Sequence, residues 1–382
     1  MTVAKNRGFA RAVGAELGLI AGVATTAIFF TAGKAWLAEI DNPAWLAVMF
    51  IWLFGVMVWC SFGVVRHADV LAELLGEPYG TLILTVSVIS IEVTILATVM
   101  LGGEPNPTLP RETMFAILMI VLNGMVGLTL AIGAWRHVQQ EYNLQGAIAF
   151  LAVISPLAII ALVIPAFTQS TTDHSFTPLQ AVVLGLLTAL LYVAFLVIQT
   201  TRHRSFFTQP QSAPKRIKRS PEVPPHAHGE GAGSVAYHAI LLIATLLPIV
   251  LLSKPLAKLL DYGIGQMNLP TAIGGILIAA LILSPEVGAA IRAAARDQLQ
   301  RAVNLSLGSA LSTIGLTVPA VLAISVLTGT PLELGLEPVE MVLLAITLFV
   351  CQMTFSGAPT NILLASVHLV LFLTYLVLAF QP

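Results

Sequence analysis

Two glutamates lie in otherwise apolar stretches where an ionised carboxylate has no obvious partner. Glu92 closes the run Gly80-Thr-Leu-Ile-Leu-Thr-Val-Ser-Val-Ile-Ser90-Ile-Glu92, with no basic residue within two helical turns. Glu286 closes Gly274-Gly275-Ile-Leu-Ile-Ala-Ala-Leu-Ile-Leu-Ser284-Pro285-Glu286. Carboxylate oxygens are hard donors suited to Na+ or Ca2+ rather than to soft metals. An acidic side chain at the centre of a membrane costs about 2.5–3.5 kcal/mol and by default marks a functional site. A carboxylate held there is neutralised by a proton or by a cation, and competition between the two for the same oxygens is itself a mechanism of exchange. Glu92 and Glu286 are therefore the expected cation and proton ligands. Neutral oxygens would complete the shell. Ser90 and Ser284 stand two residues before each glutamate, and Asn123, Asn304, Ser309 and Ser312 follow on the next helix of each half. Packing between helices is an equally natural use of these polar groups. Pro285 removes a backbone donor and can free carbonyls of its helix for ligation, while Gly80, Gly274-Gly275 and Gly308 are expected to permit close helix approach.

The elements that hold such groups follow from composition. The chain has 382 residues, 57% of them hydrophobic and 10% charged, against about a quarter charged in soluble domains. Its mean hydropathy is +0.91, so lipid must be the solvent for much of its surface. A net charge of −1 and the lack of a basic domain give no support for a nucleic-acid partner. Cys60 and Cys351 sit inside apolar runs and read as small hydrophobes, and no cofactor is expected. The fold class is an all-α polytopic membrane protein. Apolar runs near 20 residues predict eleven spanning helices, at about 12–32, 44–65, 79–101, 113–134, 146–168, 179–199, 235–254, 270–291, 302–327, 339–356 and 360–380. The first run is longer than the ~7–15 apolar residues of a signal peptide and is kept as a helix.

With the N-terminus in the cytoplasm, the inside segments hold fourteen Lys and Arg and the outside segments four, namely Lys34, Arg111, Lys254 and Lys258. That asymmetry obeys the positive-inside rule without moving any helix. The stretch 201–234 then falls in the cytoplasm as a Pro-, Ser- and Arg-rich flexible linker. Its His226-Ala227-His228 could bind a metal or sense pH, but a solvated linker is the simpler reading. The expected organisation is an extra helix in 1–34, a first five-helix repeat in 35–200, the linker, and a second repeat in 235–382. The two glutamate segments share Gly twelve residues before Glu, Ser two before it and Val after it. Farther on, Arg111-Glu112 and Arg296-Asp297 precede Asn123-Gly124 and Gly308-Ser309 at matching offsets. On this topology the matched segments run in opposite directions, the inverted-repeat plan of secondary transporters.

His67-Ala68-Asp69, Gly76-Glu77-Pro78-Tyr79-Gly80 with Ser90-Ile91-Glu92, Ser284-Pro285-Glu286, and Gln300-Arg301-Ala302-Val303-Asn304-Leu305 with Gly308-Ser309 carry a further signal. Across nearly the whole chain they resemble bacterial ChaA-type Ca2+/Na+/K+:H+ antiporters, in the cation/proton exchanger branch of the Ca2+:cation antiporter superfamily. The resemblance implies ten core helices plus one N-terminal helix, alternating access around Glu92 and Glu286, and residence in a bacterial cytoplasmic membrane. Two departures are visible. The wider superfamily carries Gly-Asn shortly before each glutamate, where this chain has Val88-Ile89 and Ile282-Leu283. An Asp-Gly-basic-Ser-Asn element is replaced by Ser356-Gly357-Ala358-Pro359-Thr360-Asn361. Fewer oxygens leave room for Na+ or K+ beside Ca2+. A cation channel is the alternative, though channels usually build a pore from a ring of subunits, whereas one chain here carries its own repeat. An enzyme is not expected: an intramembrane acid protease wants paired Asp, and no nucleophile or metal-ligand constellation accompanies the glutamates.

Overall fold

The computed structural model describes residues 16–75, 79–101, 106–171, 175–210, 234–357 and 360–381, and among them there are helices and no strands. Residues 1–15, Gly76-Glu77-Pro78, the His226–His228 pair and Ala358-Pro359 lie outside the described residues. The helices are α1 (Leu17–Thr31), α2 (Pro43–Leu75), α3 (Tyr79–Leu101), α4 (Leu109–His137), α5 (Leu144–Phe167), α6 (Pro178–Thr200), α7 (Val235–Gln266), α8 (Ala272–Ala295), α9 (Leu299–Thr328), α10 (Pro338–Thr354) and α11 (Ile362–Phe380). Eight of these are long and apolar enough to cross a membrane; the apolar stretches Leu17–Thr31, Thr85–Leu101 and Pro338–Thr354 are shorter.

The predicted bounds fail most at α2 and α7. These end at Leu75 and Gln266, about ten residues past the end of each apolar run. Hydropathy stops at the first charged residues, but backbone hydrogen bonding continues into water where nothing breaks the helix. Arg66, Lys254 and Lys258 are thus helical rather than loop residues. Where helices do start abruptly, polar caps satisfy the first amides. The Asn143 side chain accepts from Gln145 N and Gly146 N, and Thr177 with Gln180 forms a reciprocal box ahead of α6. Ser234 and Asn361 cap α7 and α11 in the same way.

The two halves repeat one series. α2 and α7 have 33 and 32 residues, α3 and α8 have 23 and 24. α4 and α9 have 29 and 30, and each is interrupted by a π-helical turn, Ile120–Met125 and Thr313–Thr317. The C-terminal part of α4 packs on α11, as that of α9 packs on α6. α4 is the central post: every residue from Leu109 to Met119 is buried. By contrast α6, α7 and α11 leave Leu187, Ile240 and Leu363 exposed, which is the lipid-facing surface of a multi-pass membrane protein. α1 leans on the outside of this core, its Gly22 leaving room for Cys60 of α2 and Pro248 of α7.

Candidate functional site

The glutamates sit at equivalent depths of α3 and α8, thirteen residues after Tyr79 and fourteen after Ala272. Each helix packs against an interrupted helix, and an interruption of this kind commonly marks a functional site, because it tears open the regular hydrogen-bond ladder. Glu92 is 2% exposed. Thr313 Oγ1, from the π turn of α9, donates to its Oε2 at 3.1 Å. Among the described residues its Oε1 has no well-formed hydrogen bond, and Thr317 Oγ1, from the same π turn, lies within reach of the same carboxyl. Glu286 also leaves one buried oxygen, Oε2, without a partner. The two carboxyls are within electrostatic range of each other. Buried polar atoms in native structures nearly always find partners. Glu92 Oε1 and Glu286 Oε2 thus leave acceptor capacity on two buried acidic side chains, which a proton or a small cation would satisfy.

Access differs between the two. A cavity of about 370 Å3 runs between α3, α5, α6 and α9 and ends on Glu286. Its wall carries Ser309, Ser312, Gly308 and Asn304, with Thr85 of α3 across from them and Arg204 and Arg301 toward the mouth. Asp69 of α2 faces Arg301 and Arg292, which offsets part of that positive charge. Glu92 is not on the cavity wall. The opposite end of the bundle holds a buried ion pair. There Arg111 Nη2 donates to Glu112 Oε1 at 2.7 Å, and Arg111 Nη1 donates to Gly335 O at 2.9 Å. Close by, Gly275 of α8 presses on the backbone of Glu112, where an added Cβ would lie 2.5 Å from the carbonyl carbon.

Sequence-derived candidates separate into three groups. Glu286, Ser309, Ser312 and Gly308 meet at the cavity, and Asn304 lies toward its mouth. There Asn304 Nδ2 donates to Phe207 O at 2.7 Å, which anchors the short helical turn Arg204–Phe207 at the start of the linker. Ser90 and Ser284 turn inward to their own helices, donating to Val86 O and Ala280 O. Asn123 reaches neither glutamate. Its Nδ2 donates to Thr347 Oγ1 at 2.8 Å, and its Oδ1 lies 3.3 Å from His368 Nδ1, whose Nε2 in turn meets Thr354 Oγ1 at 3.0 Å. Gly308 does not serve close helix approach, since a Cβ there would meet only Phe150 Cε1 at 4.0 Å; Gly275, as expected, does. Gly274 packs on the ends of the Leu260, Ile264 and Leu109 side chains, and Gly80 stands in the first turn of α3.

The internal alignment shifts as well. Counted from the starts of α4 and α9, Asn123 corresponds to Thr313 and Met119 to Ser309, since α9 begins three residues after Arg296 whereas α4 begins two before Arg111. Thr313 and Thr317 were missed by sequence reasoning. The signal available was a stripe of hydroxyls at a spacing of four, Ser309, Thr313 and Thr317, on an otherwise apolar helix. Among the described residues no three His, Cys, Asp or Glu side chains are grouped to hold a metal.

The family described as Sodium/calcium exchanger protein matches residues 45–201 and 237–381. The "Sodium-potassium/proton antiporter ChaA" of Escherichia coli (strain K12) is 40% identical over 345 residues, covering 90% of this chain and 92% of that protein. Among solved structures, native YfkE superposes with a TM-score of 0.72 at 17% identity, covering 96% of this chain and all of the other. An H+/Ca2+ exchanger, CAX, gives 0.57 at 12% identity, covering 96% and 95%. At those identities the structural likeness speaks for the fold.

Proposed function

We propose that this chain, which belongs to the sodium/calcium exchanger protein family, is a secondary-active antiporter that exchanges Ca2+, Na+ or K+ for protons at Glu92 and Glu286. The observation that carries this reading is the pair itself: equivalent acidic side chains of two repeats, each with an unpartnered buried oxygen, one sealed and one opening on a cavity. A cation entering the cavity meets Glu286 first, with Ser309 and Ser312 as neutral oxygens beside it, and then the Glu92 carboxyl with Thr313 and Thr317. Loading displaces protons, and returning protons displace the cation. With neither bound, two bare carboxylates at mid-membrane make the transition between the two access states costly, which couples the fluxes.

The N-terminus and the linker lie in the cytoplasm on the Lys and Arg count, so the cavity opens inward and the Arg111–Glu112 end faces outward. The protein resides in a bacterial inner membrane. Membership of an exchanger family, rather than a channel family, argues against a continuous channel. In inside-out vesicles from a host lacking its own antiporters, an acid interior is built and a ΔpH-sensitive dye followed. Addition of Ca2+, Na+ or K+ should release protons from the wild type, with saturation, and not from Glu92→Gln or Glu286→Gln. Unsaturable flux, or flux that survives both substitutions, would sink the two-glutamate mechanism.

A further inference from the structure

Three lysines occur among the described residues, Lys34, Lys254 and Lys258, and all three line one groove of about 950 Å3 between α1, α3 and α7. Lys254 and Lys258 are four residues apart and so share a face of α7. Lys34 arrives from the turn after α1. The groove lies far from the end occupied by the linker. His238 of α7 meets His67 of α2 there, Nδ1 to Nδ1 at 3.0 Å, whereas Lys254 and Lys258 come 16 and 20 residues later, roughly 24–30 Å along a helix axis. That is about the thickness of the hydrocarbon core, so the lysines stand at the opposite membrane interface.

Snorkelling explains one lysine at an interface, but not three converging from two helices on one concavity. Lys258 Nζ donates to Leu37 O at 3.3 Å, while Lys34 and Lys254 have no hydrogen bond or ion pair among the described residues. One acidic residue, Asp261, lines the same groove and has its own interactions. Asp41 at the rim accepts from the Tyr262 hydroxyl. An excess of ammonium groups remains even with both acids counted. The rest of the wall is apolar, with Phe29, Phe30, Val99 and Leu251. Phe30 is 67% exposed. A cationic rim above an apolar trough fits an amphiphile with an anionic head.

The geometry points to a binding site for an anionic glycerophospholipid, its phosphate among Lys34, Lys254 and Lys258 and an acyl chain along Phe29, Phe30 and Val99. This site is separate from the glutamates, yet it touches their helix. Thr98 and Val99 belong to α3 two turns beyond Glu92, and Ser253 of α7 donates to Thr98 Oγ1 at 3.0 Å. A lipid seated here spans α1, α3 and α7 together.

The test is native mass spectrometry of the full chain released from mixed phosphatidylcholine and phosphatidylglycerol vesicles. The wild type should retain phosphatidylglycerol in preference to phosphatidylcholine. Each Lys→Gln substitution should lower that retention about fivefold, the scale of one basic residue at an anionic surface. The triple Lys34→Gln, Lys254→Gln, Lys258→Gln variant should lose the preference, and the triple Lys→Arg variant should keep it. All three side chains are exposed, and thermal melting checks that the variants stay folded. No preference in the wild type, or an equal preference in the triple Gln variant, overturns the site. Displacement of the lipid by inorganic phosphate alone would mean an anion pocket without a lipid. A second copy of the chain bound through this groove would likewise overturn it. Because binding is read without transport, neither result bears on the antiport reading.

Discussion

The two repeats carry the same parts in different arrangements. At one junction between them, Thr313 of the α9 interruption holds the Glu92 carboxyl of α3, which is buried. At the other, the corresponding Asn123 of the α4 interruption is tied to Thr347 and His368, and Glu286 keeps an unpartnered oxygen beside an open cavity. Helix packing differs too: α8 lies tight against α4 at Gly275, while α3 and α9 meet at Glu92 and Thr313 and border the cavity at Thr85, Ser309 and Ser312. Equivalent sequence positions thus occupy non-equivalent environments, as alternating access requires, since the halves exchange roles when the protein faces the other way. Under the proposed mechanism the chemistry resides in the pair, whereas the direction of access follows from which carboxyl opens on a cavity.

The largest expected effect is a contrast in accessibility. A cysteine at Ser309 should react with a membrane-impermeant thiol reagent applied to inside-out vesicles at least about tenfold faster than a cysteine at Thr313, because reaction needs a reachable thiolate. The wild type, whose two cysteines are buried, is the blank. Equal rates at the two positions would break the comparison at its root.

Next in size is Gly275→Ala. Its Cβ would collide with the Glu112 backbone at 2.5 Å, which cannot swing aside as a side-chain end would. Overpacking of this kind costs about 1–3 kcal/mol, so the melting temperature in detergent should fall by several degrees. Gly308→Ala, with only Phe150 Cε1 at 4.0 Å, should leave it unchanged. If both melt alike, α8 does not lie tight against α4 at Gly275.

Thr313→Val removes the hydroxyl from Glu92 at nearly constant volume. A hydrogen bond to a charged group contributes about 1.5–3 kcal/mol, so the apparent affinity for the driving cation should fall by roughly tenfold or more in the ΔpH assay. Asn123→Leu, which breaks the ties to Thr347 and His368 rather than a contact to Glu286, should change maximal rate more than affinity. The reverse pattern would show that Asn123 and not Thr313 meets the cation in the resting state.

How much of this was legible follows from which forces act locally. The all-helical multi-pass class and the repeated series of helices could be read because burial in lipid imposes one rule on every residue of a helix. The ends of α2 and α7 could not, since Arg66, Lys254 and Lys258 end a hydropathy window without ending a helix. Thr313 and Thr317 were overlooked because threonine is common in apolar helices, and only a π turn aims this stripe at Glu92. Asn123 looked like a ligand for the converse reason: its type and spacing fit, but Thr347 and His368 come from α10 and α11, more than 200 residues away in sequence. Serial spacing carries no information about such partners.

The smallest effects should come from Ser90 and Ser284, the residues nearest the glutamates in sequence. Both hydroxyls already donate within their own helices, to Val86 O and Ala280 O. Such back-bonding makes a weak net contribution and slightly perturbs a helix. If that is their whole role, Ser90→Ala and Ser284→Ala should keep cation affinity and proton coupling within about threefold of wild type, less than one ordinary hydrogen bond at the upper end of its range. A hydroxyl that donates to its helix still has lone pairs, however, so it can accept a cation without moving. Ser284→Ala is the sharper of the two, because Glu286 beside it faces the cavity and Glu92 does not. A loss of affinity well beyond threefold in Ser284→Ala alone would place a lone pair of Ser284 in the cation's shell on the open side. The same loss in Ser90→Ala alone would reverse the order of access drawn from the cavity.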